Sequence, residues 1–187
     1  KKKSNVDFLQ QIQPIHFKNN DLEFNLVHNG NISNVENYVS YDDNLSDTQN
    51  IIKFFTNTKQ NNFEDDLIKF LNTIHCSYSI IILFKETLYV LRDRYGYKPL
   101  YLGKINNQYC VVSEDNIDNF EKIREVNSGE IIKINKYGYD TIYHKSSTNE
   151  MKCIFEYIYF MNEKSSYNNV SVYNIRKNLG KNLASIE

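Results

Sequence analysis

The sequence predicts an α+β domain built in layers. Two stretches with apolar residues at helical spacing lie back to back, at 46–57 and 63–74. After them the period shortens to that of strands, and hairpins follow one another. Within those hairpins Tyr78–Phe84 is a near-continuous apolar run, which reads as a strand buried on both faces. No strand alternates with a helix as in a βαβ unit, so a doubly wound sheet is not expected. The expected sheet carries helices on one face and further sheet on the other.

Residues 1–20 read as irregular, with Pro14 as punctuation. Residues 22–28 read as a strand that runs into Asn29-Gly30, and 33–40 as a short helix. Asn29-Gly30 carries two readings. Asn-Gly takes φ > 0 readily, so it can be a tight turn that closes a hairpin. It can also be an anion-stabilising corner, with the Gly30 N–H and the Asn29 carboxamide as two donors of an oxyanion hole.

Ser46 and Gln49 form a capping-box pattern, which starts a helix whose Ile51, Ile52, Phe54 and Phe55 share a face to about residue 57. The next helix spans 63–74, with Phe63, Leu67, Ile68, Phe70, Leu71 and Ile74 in phase. Its first turn holds Glu64, Asp65 and Asp66, as the macrodipole prefers. Lys85-Glu86 turns the buried strand into Thr87–Arg92. A polar connector, Arg92 to Pro99, leads to the hairpin Leu100–Lys104 and Gln108–Ser113 around Asn106-Asn107. Glu114–Phe120 reads as a short helix. Glu130–Asn135 and Tyr139–His144 form the last hairpin, turning at Lys136-Tyr137-Gly138. Composition shifts at 145–151, and a boundary is expected there: a domain at 1–147, then a linker and helix at 148–187. In that tail Cys153–Met161 is apolar and aromatic, and Ile175, Leu179, Leu183 and Ile186 share a helical face.

The chain of 187 residues is long enough for one domain with a sizeable core. A net charge of −1 gives no electrostatic case for nucleic acid or an anionic membrane. No apolar run reaches the ~18 residues of a membrane span. Cys76, Cys110 and Cys153 are odd in number and in no Cys-x-x-Cys spacing, so neither a disulfide framework nor a zinc site is indicated, and a reducing compartment is expected. The chain begins at Lys1 and reads as a fragment of a longer protein.

Three stretches in order carry the functional signal: His28-Asn29-Gly30-Asn31, Ser46-Asp47-Thr48, and Arg92-Asp93-Arg94-Tyr95-Gly96-Tyr97-Lys98-Pro99-Leu100. Together they resemble the glutaminase domain of class II glutamine amidotransferases, over residues ~11 to ~145. Cys153-Ile154-Phe155-Glu156-Tyr157-Ile158-Tyr159-Phe160, with Ser171-Val172-Tyr173 and Arg176, resembles the linker of the amidophosphoribosyltransferase family. Val126-Asn127-Ser128-Gly129-Glu130 is similar to that family's Pro-Gly-Glu turn, with Ser128 in place of Pro. Asparagine synthetases and glucosamine-6-phosphate synthases share parts of the pattern but not the linker.

The resemblance implies a four-layer αββα N-terminal-nucleophile fold, located in the cytoplasm. It implies that a cysteine thiolate attacks the glutamine amide, ammonia leaves, and the acyl-enzyme is hydrolysed. Asn29 and Gly30 would hold the oxyanion, and Asp47 would accept the α-ammonium of glutamine. Arg92 and Asp93 would be a buried structural pair, and Gly96 would supply turn geometry. The full-length enzyme would pass ammonia to phosphoribosyl pyrophosphate, bound with Mg2+ in a further domain, to give 5-phosphoribosylamine in purine synthesis. It would assemble as a homo-oligomer. The family's nucleophile is an N-terminal cysteine, and Lys1 does not match it, so this stretch alone is expected to be inactive. The family's substrate-carboxylate arginine lies upstream of Gln13-Pro14, where this chain has none. Gln49 stands where the family carries Glu, Cys76 where it carries Gly or Ala, and the stretch from Gly30 to Asp47 is short. Some members ligate an iron–sulfur cluster through a cysteine placed like Cys153, which makes it a candidate ligand. A domain that keeps the fold without catalysis is the reading from a different class.

Overall fold

The computed structural model describes residues 11–32, 42, 44–57, 62–145 and 149–186. The expected helix at 33–40 lies outside them. The chain divides into two compact units, one of residues 1–96 and 127–150, the other of residues 97–126 and 151–187.

Among the described residues the first unit is a six-stranded antiparallel sheet with two helices. Its elements are β1 (Ile15–Lys18), β2 (Glu23–Asn31), α1 (Asp47–Asn57), α2 (Phe63–Thr73), β3 (Ser77–Phe84) and β4 (Thr87–Arg92). The second unit interposes β5 (Tyr101–Ile105), β6 (Gln108–Val112) and β7 (Glu121–Glu125) before β8 (Glu130–Asn135) and β9 (Gly138–His144) complete the first sheet. The order of that sheet is β1-β2-β3-β4-β8-β9. On one face Phe24, Leu26, Ile80, Ile82 and Leu91 form a continuous core with Ile51, Phe55, Leu67, Phe70 and Leu71 of the helices. Alternation along each strand puts these residues on one face. On the other face Val90 and Ile132 are equally buried. β3 is therefore a buried central strand at its start, and it opens to solvent only at Leu83, which is 40% exposed.

β1 was not expected within 1–20. Ile15 and Phe17 pack against the core while His16 and Lys18 face out, a period-2 pattern only four residues long. The expected helix at Glu114–Phe120 is also absent. The chain runs there without regular structure into β7, a strand of sequence EKIRE at the edge of the sheet β6-β5-β7. Its charges suit an exposed edge and hide the strand period.

In the second unit a single π-helical turn, Glu156–Phe160, is followed by the short hairpin β10 (Ser166–Tyr167) and β11 (Val170–Ser171) and by α3 (Val172–Ala184). Tyr101, Met161, Tyr167 and Val172 form its core. Glu156 is buried and takes an ion pair from Lys98 at 2.8 Å. The expected apolar face of the last helix is present, but Leu179 and Leu183 lie on its exposed side. Among the described residues no helix is long and apolar enough to cross a membrane.

Candidate functional site

The site begins with the local chemistry of the α1 N-terminus. Ser46 Oγ accepts the Gln49 N–H at 3.3 Å, and Gln49 Oε1 accepts the Ser46 N–H at 2.9 Å. This reciprocal box satisfies two donors that a helix start leaves open. It fixes Asp47 as the first helical residue, where its negative charge is favoured. Glutamine at position 49 serves the box as the family's glutamate would.

Two contacts tie that terminus to the end of β2. Asp47 Oδ2 accepts the Ile32 N–H at 3.2 Å. His28 Nδ1 lies 3.3 Å from Thr48 Oγ1. His28, Asn29, Gly30, Asp47 and Thr48 are thereby held at one end of the sheet.

Asn29-Gly30 is not a turn. β2 continues through both residues, and Asn29 pairs with Ser79, Gly30 with Tyr78 and Asn31 with Ser77. The demand for glycine comes from the neighbouring strand. Gly30 has φ +152°, and a Cβ there would collide with the Ser77 carbonyl oxygen and sit 2.7 Å from the Tyr78 Cα.

The ladder also decides where the Gly30 N–H points. The Tyr78 carbonyl accepts the Asp93 N–H at 3.0 Å, and its own N–H donates to Asp93 Oδ2 at 3.3 Å. Tyr78 thus turns its main chain towards Asp93. Opposite it, Gly30 is a non-hydrogen-bonded partner whose N–H and C=O face the outer edge of β2. β1 covers that edge only as far as the pair Ile15–Leu26. At His28 the Gln13 carboxamide stands in for a strand. It accepts the His28 N–H and donates to the His28 carbonyl at 3.0 Å. Its Nε2 is also 3.5 Å from Thr48 Oγ1. Past Gln13, the Gly30 N–H faces an edge that no described strand covers.

The third motif is scaffold. Arg92 and Asp93 are 1% and 0% exposed. Asp93 Oδ1 accepts the N–H groups of Tyr95 at 2.8 Å and Gly96 at 2.9 Å, and Arg92 Nη2 donates to the Gly96 carbonyl at 3.1 Å. Gly96 has φ +67°, as the expected turn requires. The motif meets the first one through the row Gly30–Tyr78–Asp93.

Burial pushes the His28 imidazole down to about 4, against the pull of the Asp47 carboxylate. At neutral pH it is uncharged. Its Nε2 is buried and has no hydrogen-bond partner among the described residues. Asn29 is exposed, and Asp47 half-buried.

Cys76 is buried in the first unit's core, and Cys110 and Cys153 are half-buried in the second unit. Burial raises the Cys110 thiol. Among the described residues no group of three or more His, Cys, Asp or Glu side chains is arranged to hold a metal ion. Gln13, His28 and Thr48 escaped the sequence reading. The available signals were that His28 opens the first motif and that Thr48 sits inside the Ser-Asp-Thr stretch.

The sequence profile of the family described as "Glutamine amidotransferase domain" matches residues 2–119. The chain is 30% identical over 186 residues to the amidophosphoribosyltransferase of Bacillus subtilis (strain 168), covering 94% of this chain and 39% of that protein. It is 28% identical over 189 residues to the chloroplastic amidophosphoribosyltransferase of Glycine max, covering 95% of this chain and 33% of that protein. The solved glutamine phosphoribosylpyrophosphate amidotransferase of B. subtilis, complexed with ADP and GMP, superposes with a TM-score of 0.84 at 29% identity. That match covers 95% of this chain and 42% of the solved one. The chain therefore spans about a third to two fifths of the length of these relatives and shares their α+β glutaminase fold of the N-terminal-nucleophile type. With the match over residues 2–119, the chain belongs to the glutamine amidotransferase domain family.

Proposed function

We propose that this chain is the glutaminase part of an amidophosphoribosyltransferase. The full-length enzyme hydrolyses the side-chain amide of L-glutamine and passes the ammonia to phosphoribosyl pyrophosphate. The products are 5-phosphoribosylamine, glutamate and pyrophosphate, in the first committed step of purine synthesis. The observation that carries the reading is the outward-facing Gly30 N–H beside Asn29, on a strand end bonded to Asp47. The likeness to amidophosphoribosyltransferases over 94% of the chain supports the choice of acceptor.

The roles are those that the family resemblance implies, and the geometry supports them. A cysteine thiolate of the full-length enzyme adds to the amide carbon, and the carbonyl oxygen takes up negative charge. The Gly30 N–H and the Asn29 Nδ2–H donate to that oxygen. Proton transfer lets ammonia leave, and water then frees glutamate from the thioester. Asp47 keeps Oδ2 on the Ile32 N–H and offers Oδ1 to the α-ammonium of glutamine. The buried Arg92–Gly96 stretch contributes rigidity and no chemistry.

The test is incubation of the full-length protein with a glutamine-analogue electrophile, read by intact and peptide mass. A single adduct on a mature N-terminal cysteine is expected. No adduct on a folded protein overturns the reading in favour of a non-catalytic binding domain.

A further inference from the structure

Ser79 is 5% exposed, and its hydroxyl is buried with no hydrogen-bond partner among the described residues. It lies on β3 directly opposite Asn29 of β2. Cross-strand partners carry their side chains on the same face of a sheet. The partner of Ser79 on its other side, Arg92, sends its guanidinium to the Gly96 carbonyl. The Asn29 side chain is itself exposed, and among the described residues it makes no hydrogen bond. A carboxamide with an unused acceptor oxygen therefore lies across from a buried hydroxyl that has no partner among the described residues.

We infer that Ser79 is a positioning residue for the oxyanion hole: its hydroxyl donates to Asn29 Oδ1 and so turns Asn29 Nδ2–H towards the oxyanion, beside the Gly30 N–H. This rests on the oxyanion reading given above. The chemistry of the carboxamide requires such a partner. Its nitrogen and oxygen ends are nearly equal in size, and a flip would present the oxygen lone pairs to the developing negative charge. A hydroxyl that donates to Oδ1 holds the oxygen end of the carboxamide at β3, which leaves Nδ2–H for the oxyanion. The ladder supports the reach. Tyr78 faces Asp93, so its neighbour Ser79 faces β2, and Asn29–Ser79 is a hydrogen-bonded pair. Its Cβ atoms lie roughly 5 Å apart. One carboxamide arm spans that gap. In the described residues the two groups are not bonded, so the contact forms when the Asn29 side chain turns towards bound substrate. A contact that orients the Asn29 donor acts on the transition state, where the negative charge forms.

The test compares glutamine hydrolysis and thermal unfolding in the full-length protein. In Ser79→Ala, kcat is expected to fall about tenfold, less than for complete loss of an oxyanion donor. KM stays within about twofold, because ground-state binding is not changed. The unfolding midpoint is unchanged or raised, because a buried hydroxyl without a partner is removed. Ser79→Thr keeps the hydroxyl and restores most of kcat. In an Asn29→Ala background Ser79→Ala has no further effect, since Ser79 acts through Asn29. A Ser79→Ala protein at the wild-type rate overturns the inference, as does an equal loss in the Asn29→Ala background. Loss of folded protein in Ser79→Ala overturns it too, by showing a structural hydroxyl. A wild-type protein that hydrolyses no glutamine overturns the functional reading itself, which separates the two failures.

Discussion

Asp47 accepts the main-chain N–H of Ile32 across 3.2 Å through Oδ2, and among the described residues Oδ1 takes no hydrogen bond. One side chain thus joins the first residue of α1 to the end of the strand that carries Asn29 and Gly30. The open oxygen is the feature assigned to the glutamine α-ammonium.

Asp47→Asn separates the two duties. The amide oxygen still accepts the Ile32 N–H, so the unfolding midpoint should move little. The negative charge is lost, and a charge-assisted contact of about 1.5–3 kcal/mol goes with it. KM for glutamine should rise by about 10- to 150-fold, with a smaller effect on kcat. Steady-state hydrolysis across glutamine concentrations checks this.

Asn29→Ala should do the reverse. One oxyanion donor is removed, so kcat falls by about 10²–10³ while KM changes little. The same kinetic experiment reads the contrast with Asp47→Asn.

Gly30→Ala should damage the fold before it damages the chemistry. The added Cβ meets main-chain atoms of Ser77 and Tyr78, which cannot rotate away. A loss of about 2 kcal/mol or more is expected in chemical denaturation, with β2 and β3 forced apart.

Stability should fall as pH drops from about 6.5 to 4, in part through His28. The folded state holds this imidazole neutral down to about 4, while an unfolded chain protonates it near 6.5. Over that window the unfolded state binds more protons, so acid favours unfolding. The contribution is on the order of 3 kcal/mol, complete above 6.5 and gone at 4. Denaturation of wild type and His28→Asn across pH 4–7 checks it. The variant should lose that part of the slope.

Gln13→Ala should remove the side-chain stand-in for a strand at His28. A cost of about 1–2 kcal/mol is expected for the two bonds, read as a lower unfolding midpoint. Gln13→Glu keeps the acceptor for the His28 N–H but loses the donor to its carbonyl, so it should fall between the two.

The local features were legible in the sequence because their causes are local. Ser46 and Gln49 satisfy each other within one turn of helix, so the start of α1 could be read directly. Thr87–Arg92 and Glu130–Asn135 are short apolar-rich runs bounded by turn residues and appear as strands with the expected bounds. The buried Arg92-Asp93 stretch and the turn at Gly96 stand where the motif suggested. Three other readings failed for identifiable reasons. Ile15–Lys18 is too short a strand to stand out from its surroundings. EKIRE carries too much charge to show a strand period. Asn29-Gly30 has the composition of a turn, yet its glycine answers to Ser77, 47 positions along the chain.

By itself, then, the sequence determined the α+β class, the starts of α1 and α2, and the motifs from which the candidate site residues were drawn. These depend on periodicity, capping and residue type, all of which act over a few positions. Only the tertiary structure decided which way the Gly30 N–H points, that Gln13 closes the edge beside it, and that Ser79 lies across from Asn29. Those facts follow from strand register and from which neighbour takes each main-chain hydrogen bond. Register is set by long-range pairing, and no local pattern encodes it.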